Sequence, residues 1–311
     1  MAAQIHSYDI GSPSITLSVT EAGEKDAPAV LLLHGFPEIG YSWRHQITAL
    51  ADAGYRVIAP DQRGYGWSDL PDAVADYDLF ALTGDAIALL DHLGVDDAVV
   101  VGHDWGSIVA WHLALFRPDR ARGLVLMSVP YQPRDGASLL AHIRATDPEG
   151  PYSYMLAFQD TENPVEALLD ADPVGTLRGM YWSVSGEEPD PETPEALPSF
   201  LSADEFENYC RAFARSGFGG GVNWYRNLEN NWLATKPWHQ MTISIPSMFV
   251  GGTADFVVDT ADQNLGERAD SMADRFADFR ADVRIDGAGH WVQQEAPDEV
   301  NAALLEFLGG L

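Results

Sequence analysis

The sequence predicts an α/β protein: a mostly parallel sheet flanked by helices, with a helical cap inserted late in the sheet. Three observations predict it. Short apolar runs each end in a Gly, Asp or Pro turn, helical patterns alternate with them, and the alternation stops after residue 130 and resumes at residue 246. Runs buried on both faces mark parallel strands. Strands alternating with helices point to a doubly wound architecture.

Residues 14–21 alternate, with Ile15, Leu17 and Val19 on one face, as in a half-buried strand. Ala29-Val30-Leu31-Leu32-Leu33 is a continuous apolar run ending at His34-Gly35. Arg56-Val57-Ile58-Ala59 ends at Pro60-Asp61, and Ala98-Val99-Val100-Val101 ends at Gly102. Gly123 to Met127 and Pro246 to Val250 repeat the theme. Between the runs, Leu79, Leu82, Ala86, Leu89, Leu90 and Leu93 recur at helical spacing after Asp78, a candidate N-cap. Ile108, Trp111, His112 and Leu115 do the same after Gly106, and Pro297 opens a last helix carrying Val300, Ala303, Leu304 and Phe307.

Residues 131–240 are proline-rich, carry an acidic run at Glu187-Glu188-Pro189-Asp190-Pro191-Glu192, and hold helix-like stretches such as Ala203 to Ser216. They are expected to form the cap, with 1–130 and 241–311 forming the core. At 311 residues the chain suits one large domain with an insert.

Composition narrows the partners. The net charge is −29, from 18 basic and 47 acidic side chains. Such a surface repels nucleic-acid phosphates and anionic lipid. Solubility or adaptation to salt explains it, and steering of a cationic substrate is the alternative. Lysine occurs only at Lys25 and Lys236. The single cysteine, Cys210, forbids an intramolecular disulfide and reads as a structural thiol on a helix. No basic segment followed by an apolar run opens the chain, so no signal peptide is expected. The longest apolar run, near Ala29 to Leu33, is far short of the ~20 residues of a membrane span. A cytoplasmic protein, monomer or homodimer, is the expectation.

The chemistry concentrates at strand ends. Gly102-His103-Asp104-Trp105-Gly106 runs from a buried strand through a tight turn into a helix, the layout of a nucleophile elbow with Asp in the nucleophile's place. The helix N-terminus favours an ionised carboxylate. The competing reading is an Asp that merely caps the helix. His34-Gly35-Phe36-Pro37-Glu38 follows another strand, and the Phe36 N–H could join that of Trp105 in an oxyanion hole; the competing reading is an ordinary turn. An ester on Asp104 needs a base to activate water and a group to orient that base. His290, in Gly287-Ala288-Gly289-His290-Trp291, and Asp255, in Gly251-Gly252-Thr253-Ala254-Asp255, stand at two further strand ends. Their order after Asp104 is that of the hydrolase triad. His34 and His103 flank the site in supporting roles. No cluster has the spacing of a metal site, and no cofactor is expected.

With those motifs and Asp61-Gln62-Arg63-Gly64-Tyr65-Gly66, the sequence resembles the epoxide hydrolases of the α/β-hydrolase fold, over nearly its whole length. Haloalkane dehalogenases share part of the pattern. The resemblance implies two cap tyrosines that hold the epoxide oxygen. Asn223-Trp224-Tyr225-Arg226-Asn227 looks like the motif of the second, which assigns Tyr225. Tyr154, four residues before Phe158-Gln159, matches the first, with Tyr152 the close competitor. Asp160-Thr161-Glu162 replaces the family's usual Glu-Pro-Gly after Phe-Gln.

The implied reaction is attack of Asp104 on an apolar epoxide, then hydrolysis of the ester by water that His290 activates, leaving a vicinal diol. Phe36, Pro37, Trp105, Phe158 and Trp224 are expected to line the pocket, with Trp182 and Phe218 as further cap aromatics. The rivals are a haloalkane or haloacid dehalogenase, against which the apolar side chain of Phe36 speaks, and a non-catalytic small-ligand receptor.

Overall fold

The computed structural model describes residues 4–9, 15–134, 136–162, 164–189, 192–193, 195–258 and 271–311; Ser14 of the first predicted strand, and Asp190 and Pro191 of the acidic run, lie outside the described residues. In chain order come β1 (Gln4–Asp9), β2 (Thr16–Ala22), β3 (Ala29–Leu33), α1 (Arg44–Asp52), β4 (Arg56–Pro60), α2 (Leu79–His92), β5 (Ala98–His103), α3 (Trp105–Phe116) and β6 (Ala121–Met127). A helical stretch follows: α4 (Leu139–Thr146), α5 (Ser153–Ala157), α6 (Val165–Leu169), α7 (Pro173–Ser183), α8 (Ala203–Ser216), α9 (Gly219–Arg226) and α10 (Leu228–Ala234). The chain then returns through β7 (Ile243–Gly252), α11 (Ser271–Asp274), β8 (Phe276–Ile285), α12 (Val292–Glu295) and α13 (Pro297–Gly309).

The eight strands form one sheet in the order β1-β2-β4-β3-β5-β6-β7-β8. β1 pairs antiparallel with β2, and β2 with β4; from β4 to β8 every pairing is parallel. The central strands read as unbroken apolar runs because both faces are covered. β3 sends Leu31 and Leu33 into the cluster that holds Leu82 and Leu89 of α2 and Val109 and Leu113 of α3. Its Val30 and Leu32 enter the cluster with Ile47 and Leu50 of α1 and Val300 and Leu304 of α13. Side chains alternate along a strand, so one run feeds two cores.

Local signals set the helix ends. Asp78 accepts from the Ala81 N–H and starts α2. Ser202 and Glu205 form a capping box on α8, whose bounds are those the sequence pattern suggested. Three elements were not legible. β1 reads Gln-Ile-His-Ser-Tyr-Asp, too polar to stand out as a strand, and lies at the sheet edge. α1 carries few apolar residues. β8 spans Phe276–Ile285, and charged residues and register shifts against β7 break its apolar pattern. The carboxyl ends of β3, β5, β7 and β8 emerge on one side of the sheet, where open α/β sheets place their sites.

Candidate active site

One residue, Asp104, separates β5 from α3. Its backbone sits at φ 53°, ψ −120°, a conformation that costs an L residue on the order of 1–3 kcal/mol. Glycines make the turn possible. A Cβ on Gly102 would collide with the Gly106 carbonyl, one on Gly106 with the Leu33 carbonyl, and one on Gly35 with the Asp104 carboxylate itself. Asp104 stands at the N-cap position of α3 yet makes no capping hydrogen bond, which removes the helix-cap reading. Its Oδ1 accepts from the Phe36 N–H at 2.8 Å, and its Oδ2 lies 3.5 Å from Nε2 of His290. The Trp105 N–H belongs to the first turn of α3, where amides lack intrahelical partners.

His290 follows β8 and Asp255 follows β7. The Nδ1 of His290 meets Asp255 Oδ2 at 2.9 Å, and the Val257 N–H donates to the other Asp255 oxygen. Both side chains are buried. Burial opposes a charge on the imidazole, but the neighbouring Asp255 and Asp104 carboxylates outweigh it and raise the His290 pKa well above its ordinary value. The carbonyl of His290 is held too, by the Ser128 hydroxyl and by His103 Nε2, each at 2.7 Å.

Behind this turn lies a buried polar network that the sequence did not reveal. His103 Nδ1 meets Glu38 Oε2 at 2.6 Å, and the Gln293 and Gln294 amides both donate to Glu38 Oε1 at 2.9 Å. Burial would raise the Glu38 pKa; His103, His34 and the Gly35 N–H outweigh it and hold the pKa at about 2. The one sequence signal was an acid in a turn directly after a buried strand. His34 accepts from the Gln62 N–H at Nε2 while its Nδ1 faces the Gly35 carbonyl, so it stays neutral, pushed down to about 4 mainly by burial. Both histidines therefore support the strand ends.

Over the carboxylate stand residues of α5 and α9. The Tyr154 and Tyr225 ring centroids are 5.8 Å apart. Tyr225 packs edge-on against Trp105 at 4.9 Å, Phe158 at 5.0 Å and Phe36 at 5.6 Å. Burial first, and the Asp104 charge among the other causes, raise both phenols far above the ordinary tyrosine value. The two helices are tied at their ends. The Gln159 amide donates to the Tyr225 carbonyl at 3.0 Å, and the Arg226 guanidinium donates to the Phe158 carbonyl at 3.1 Å and to both Glu166 oxygens at 2.8 Å. Tyr152 instead faces Phe256, centroids 5.8 Å apart.

The remaining predicted pocket residues divide. Phe36 and Phe158 meet edge-on at 6.1 Å beside the tyrosines. The Pro37 carbonyl accepts from the Tyr181 hydroxyl. Trp224 is fully buried; its indole donates to the Arg63 carbonyl and it backs Trp105 rather than facing open space. Trp182 is likewise engaged, by the Ala196 carbonyl. Glycine governs how α9 meets the core. A Cβ on Gly220 would collide with the Gly64 carbonyl, and one on Gly221 would lie 2.5 Å from the Phe36 ring and 2.8 Å from the Tyr65 hydroxyl.

Among the described residues no group of three or more His, Cys, Asp or Glu could hold a metal ion, and no helix is long and apolar enough to cross a membrane.

Known proteins resemble this chain in sequence and in fold. A family model described as alpha/beta hydrolase fold matches residues 28–297. Epoxide hydrolase A of Mycobacterium tuberculosis is 44% identical over 97% of both chains. An epoxide hydrolase of Caballeronia sordidicola is 37% identical over 98% of this chain and 94% of its own. The crystal structure of epoxide hydrolase A from Mycobacterium thermoresistibile superposes with a TM-score of 0.88 at 43% identity, covering 100% of this chain and 99% of that one. An epoxide hydrolase from Vigna radiata gives 0.90 at 34% identity, covering 99% of each.

Proposed function

The chain belongs to the epoxide hydrolases of the α/β-hydrolase fold, and from that membership we propose that it opens a small apolar epoxide to a vicinal diol through an ester on Asp104. We read residues 131–240 as the cap and 1–130 with 241–311 as the core. The observation that carries the reading is the placement of Asp104: a carboxylate that caps nothing, held by the Phe36 N–H, beside His290, with its charge felt by the buried Tyr225 and the half-buried Tyr154.

In the first step a carboxylate oxygen of Asp104 bonds to an epoxide carbon and the C–O bond breaks. The departing alkoxide is a strong base. Tyr154 and Tyr225 donate to it as its charge forms, and one gives up its proton. Their raised pKa values keep both protonated and able to donate at neutral pH.

The second step uses the other half of the site. Esterification removes the Asp104 charge, one of the two carboxylates that favour a charged imidazole. The His290 pKa therefore falls as the ester forms, and the neutral base appears when water needs activating. Asp255 holds Nδ1 and leaves Nε2 to take the water proton. Water adds to the ester carbonyl, and the Phe36 and Trp105 N–H groups hold the oxyanion. Collapse expels the diol oxygen, which takes the proton back from His290. The proton that His290 shed as the ester formed reprotonates the phenol by way of solvent, and the acid proton left on Asp104 recharges His290. Epoxide plus water gives diol, with every proton accounted for.

A single turnover in heavy-oxygen water tests the scheme. The label enters the Asp104 side chain first and reaches diol only in later turnovers; label in first-turnover diol sinks the covalent route. Assaying halide release from a haloalkane alongside separates the dehalogenase reading, which tolerates Tyr225→Phe. No turnover of either substrate would leave the receptor.

A further inference from the structure

The turn that carries His290 is not held by the sheet alone. Glu295, at the end of α12, reaches back to it: Oε2 accepts from the Gly289 N–H at 3.0 Å and Oε1 from the Trp291 N–H at 3.0 Å. The same Oε2 accepts from the Gly186 N–H at 2.8 Å, and Gly186 belongs to the cap segment that follows α7. Beside it the His290 N–H itself donates to the Val184 carbonyl at 2.8 Å, and the Trp291 indole donates to the Tyr181 carbonyl at 3.0 Å. The approach is backbone to backbone. A Cβ on Gly186 would collide with the Gly287 carbonyl, and one on Gly289 with the Gly186 nitrogen.

We propose that Glu295 is a positioning residue for the water step, fastening cap segment 184–186 to the His290 turn so that the imidazole reaches its place only while the cap is seated. Three backbone N–H groups, one from the cap and two from the turn, converge on one carboxylate. Bonds to an ionised acceptor are about twice as strong as neutral ones. An amide in its place would turn an NH2 toward at least one of these donors. The clamp fixes the histidine backbone on its N–H side, while Ser128 and His103 fix its carbonyl. The cap thereby serves both half-reactions: its phenols serve ester formation, and its 184–186 segment serves ester hydrolysis.

The inference rests on the proposed reading that His290 is the water-activating base, and the two fail differently. Ester formation uses Asp104 and the phenols; ester hydrolysis adds His290. Loosening the clamp therefore slows the second step selectively. Stopped-flow and intact-mass measurements with styrene oxide on Glu295→Gln and Gly186→Ala, which attack the clamp from opposite sides, read the two steps apart. The expected result in each folded variant is a fall of about 10- to 100-fold in ester hydrolysis, with alkylation within about threefold and alkyl-enzyme accumulating. Equal loss of both steps, or unchanged hydrolysis, in either folded variant overturns the proposal. His290→Gln is the control. If it traps the ester while the clamp variants do not, the clamp alone is wrong; if it hydrolyses the ester normally, the base assignment fails first.

Discussion

At the strand ends the groups proposed to react are placed by the main chain: Asp104 by a turn at φ 53°, and Asp255 and His290 by turns after β7 and β8. In the cap, Tyr154 rides on a helix of 5 residues and Tyr225 on one of 8. Isolated helices shorter than about 12–15 residues are marginal in water, so their position comes from contacts. Those contacts include side-chain ties, Gln159 to the Tyr225 carbonyl and Arg226 to the Phe158 carbonyl and Glu166, beside the approach of Gly220 to Gly64. The contrast teaches where each half is vulnerable. The proposed nucleophile survives changes in neighbouring side chains so long as its glycines remain. The phenols depend in addition on side chains outside the site.

The sharpest break of this contrast is Asp104→Ala. It should remove diol formation by on the order of 10⁴-fold or more while the protein still melts cooperatively. A folded variant that keeps a tenth of its turnover would move the nucleophile elsewhere. Tyr225→Phe comes next, with alkylation slowed by about 10²–10³-fold and ester hydrolysis untouched, read in single turnover. Tyr154→Phe should cost alkylation about 10–10²-fold, with Tyr152→Phe staying within about threefold. The reverse order would give Tyr152 the role. Arg226→Met tests the side-chain ties. Removing it frees the Phe158 carbonyl and Glu166, and about a tenfold loss of alkylation with a stability loss of about 1–2 kcal/mol is expected, measured by denaturant melts. Full activity in that variant would mean the cap phenols are placed by packing alone.

The smallest effect on turnover, acid instability, belongs to the core. Burial pushes His34 and His112 down to about 4. A base with a lowered native pKa binds fewer protons folded than unfolded, so its stability is present above the ordinary value near 6.5 and is lost as pH falls toward 4. Asp61 works the other way. Burial raises it to about 6, which favours the native state as pH falls through that value. Burial raises Asp85 and Glu295 in the same sense as Asp61, and lowers His45 in the sense of the two histidines. The expected outcome is therefore a difference: His34→Gln with His112→Gln should lose less melting temperature between about pH 6.5 and 4 than the unsubstituted protein.

The same contrast explains what the sequence revealed. Asp104 follows the short buried β5 directly, and Asp255 and His290 follow β7 and β8 within a few residues in Gly-rich turns, so a local pattern carries each group. Tyr154 and Tyr225 lie on short helices with no such frame, and motif resemblance alone picked them out. Glu38 and Glu295 were not read as functional groups. The side-chain partners of Glu38 lie 65 to 256 residues away, and Glu295 reaches 109 residues back to Gly186. Such pairings leave no periodicity to read. α1 and β1 escaped for a simpler reason: β1 is a polar strand at the sheet edge, and α1 gives the core few large apolar side chains beyond Ile47 and Leu50.

Gly64 and Gly220 meet with no side chain between them, main chain of the core against main chain of α9. Residues that touch through side chains can drift one at a time, each change absorbed by a neighbour. Two bare backbones have nothing to absorb a change with. The loop from Asp61 to Gly66 and the helix bearing Tyr225 thus fit only as a matched pair. A cap grafted from a relative onto this sheet would sit at the right height only if its glycine came with it.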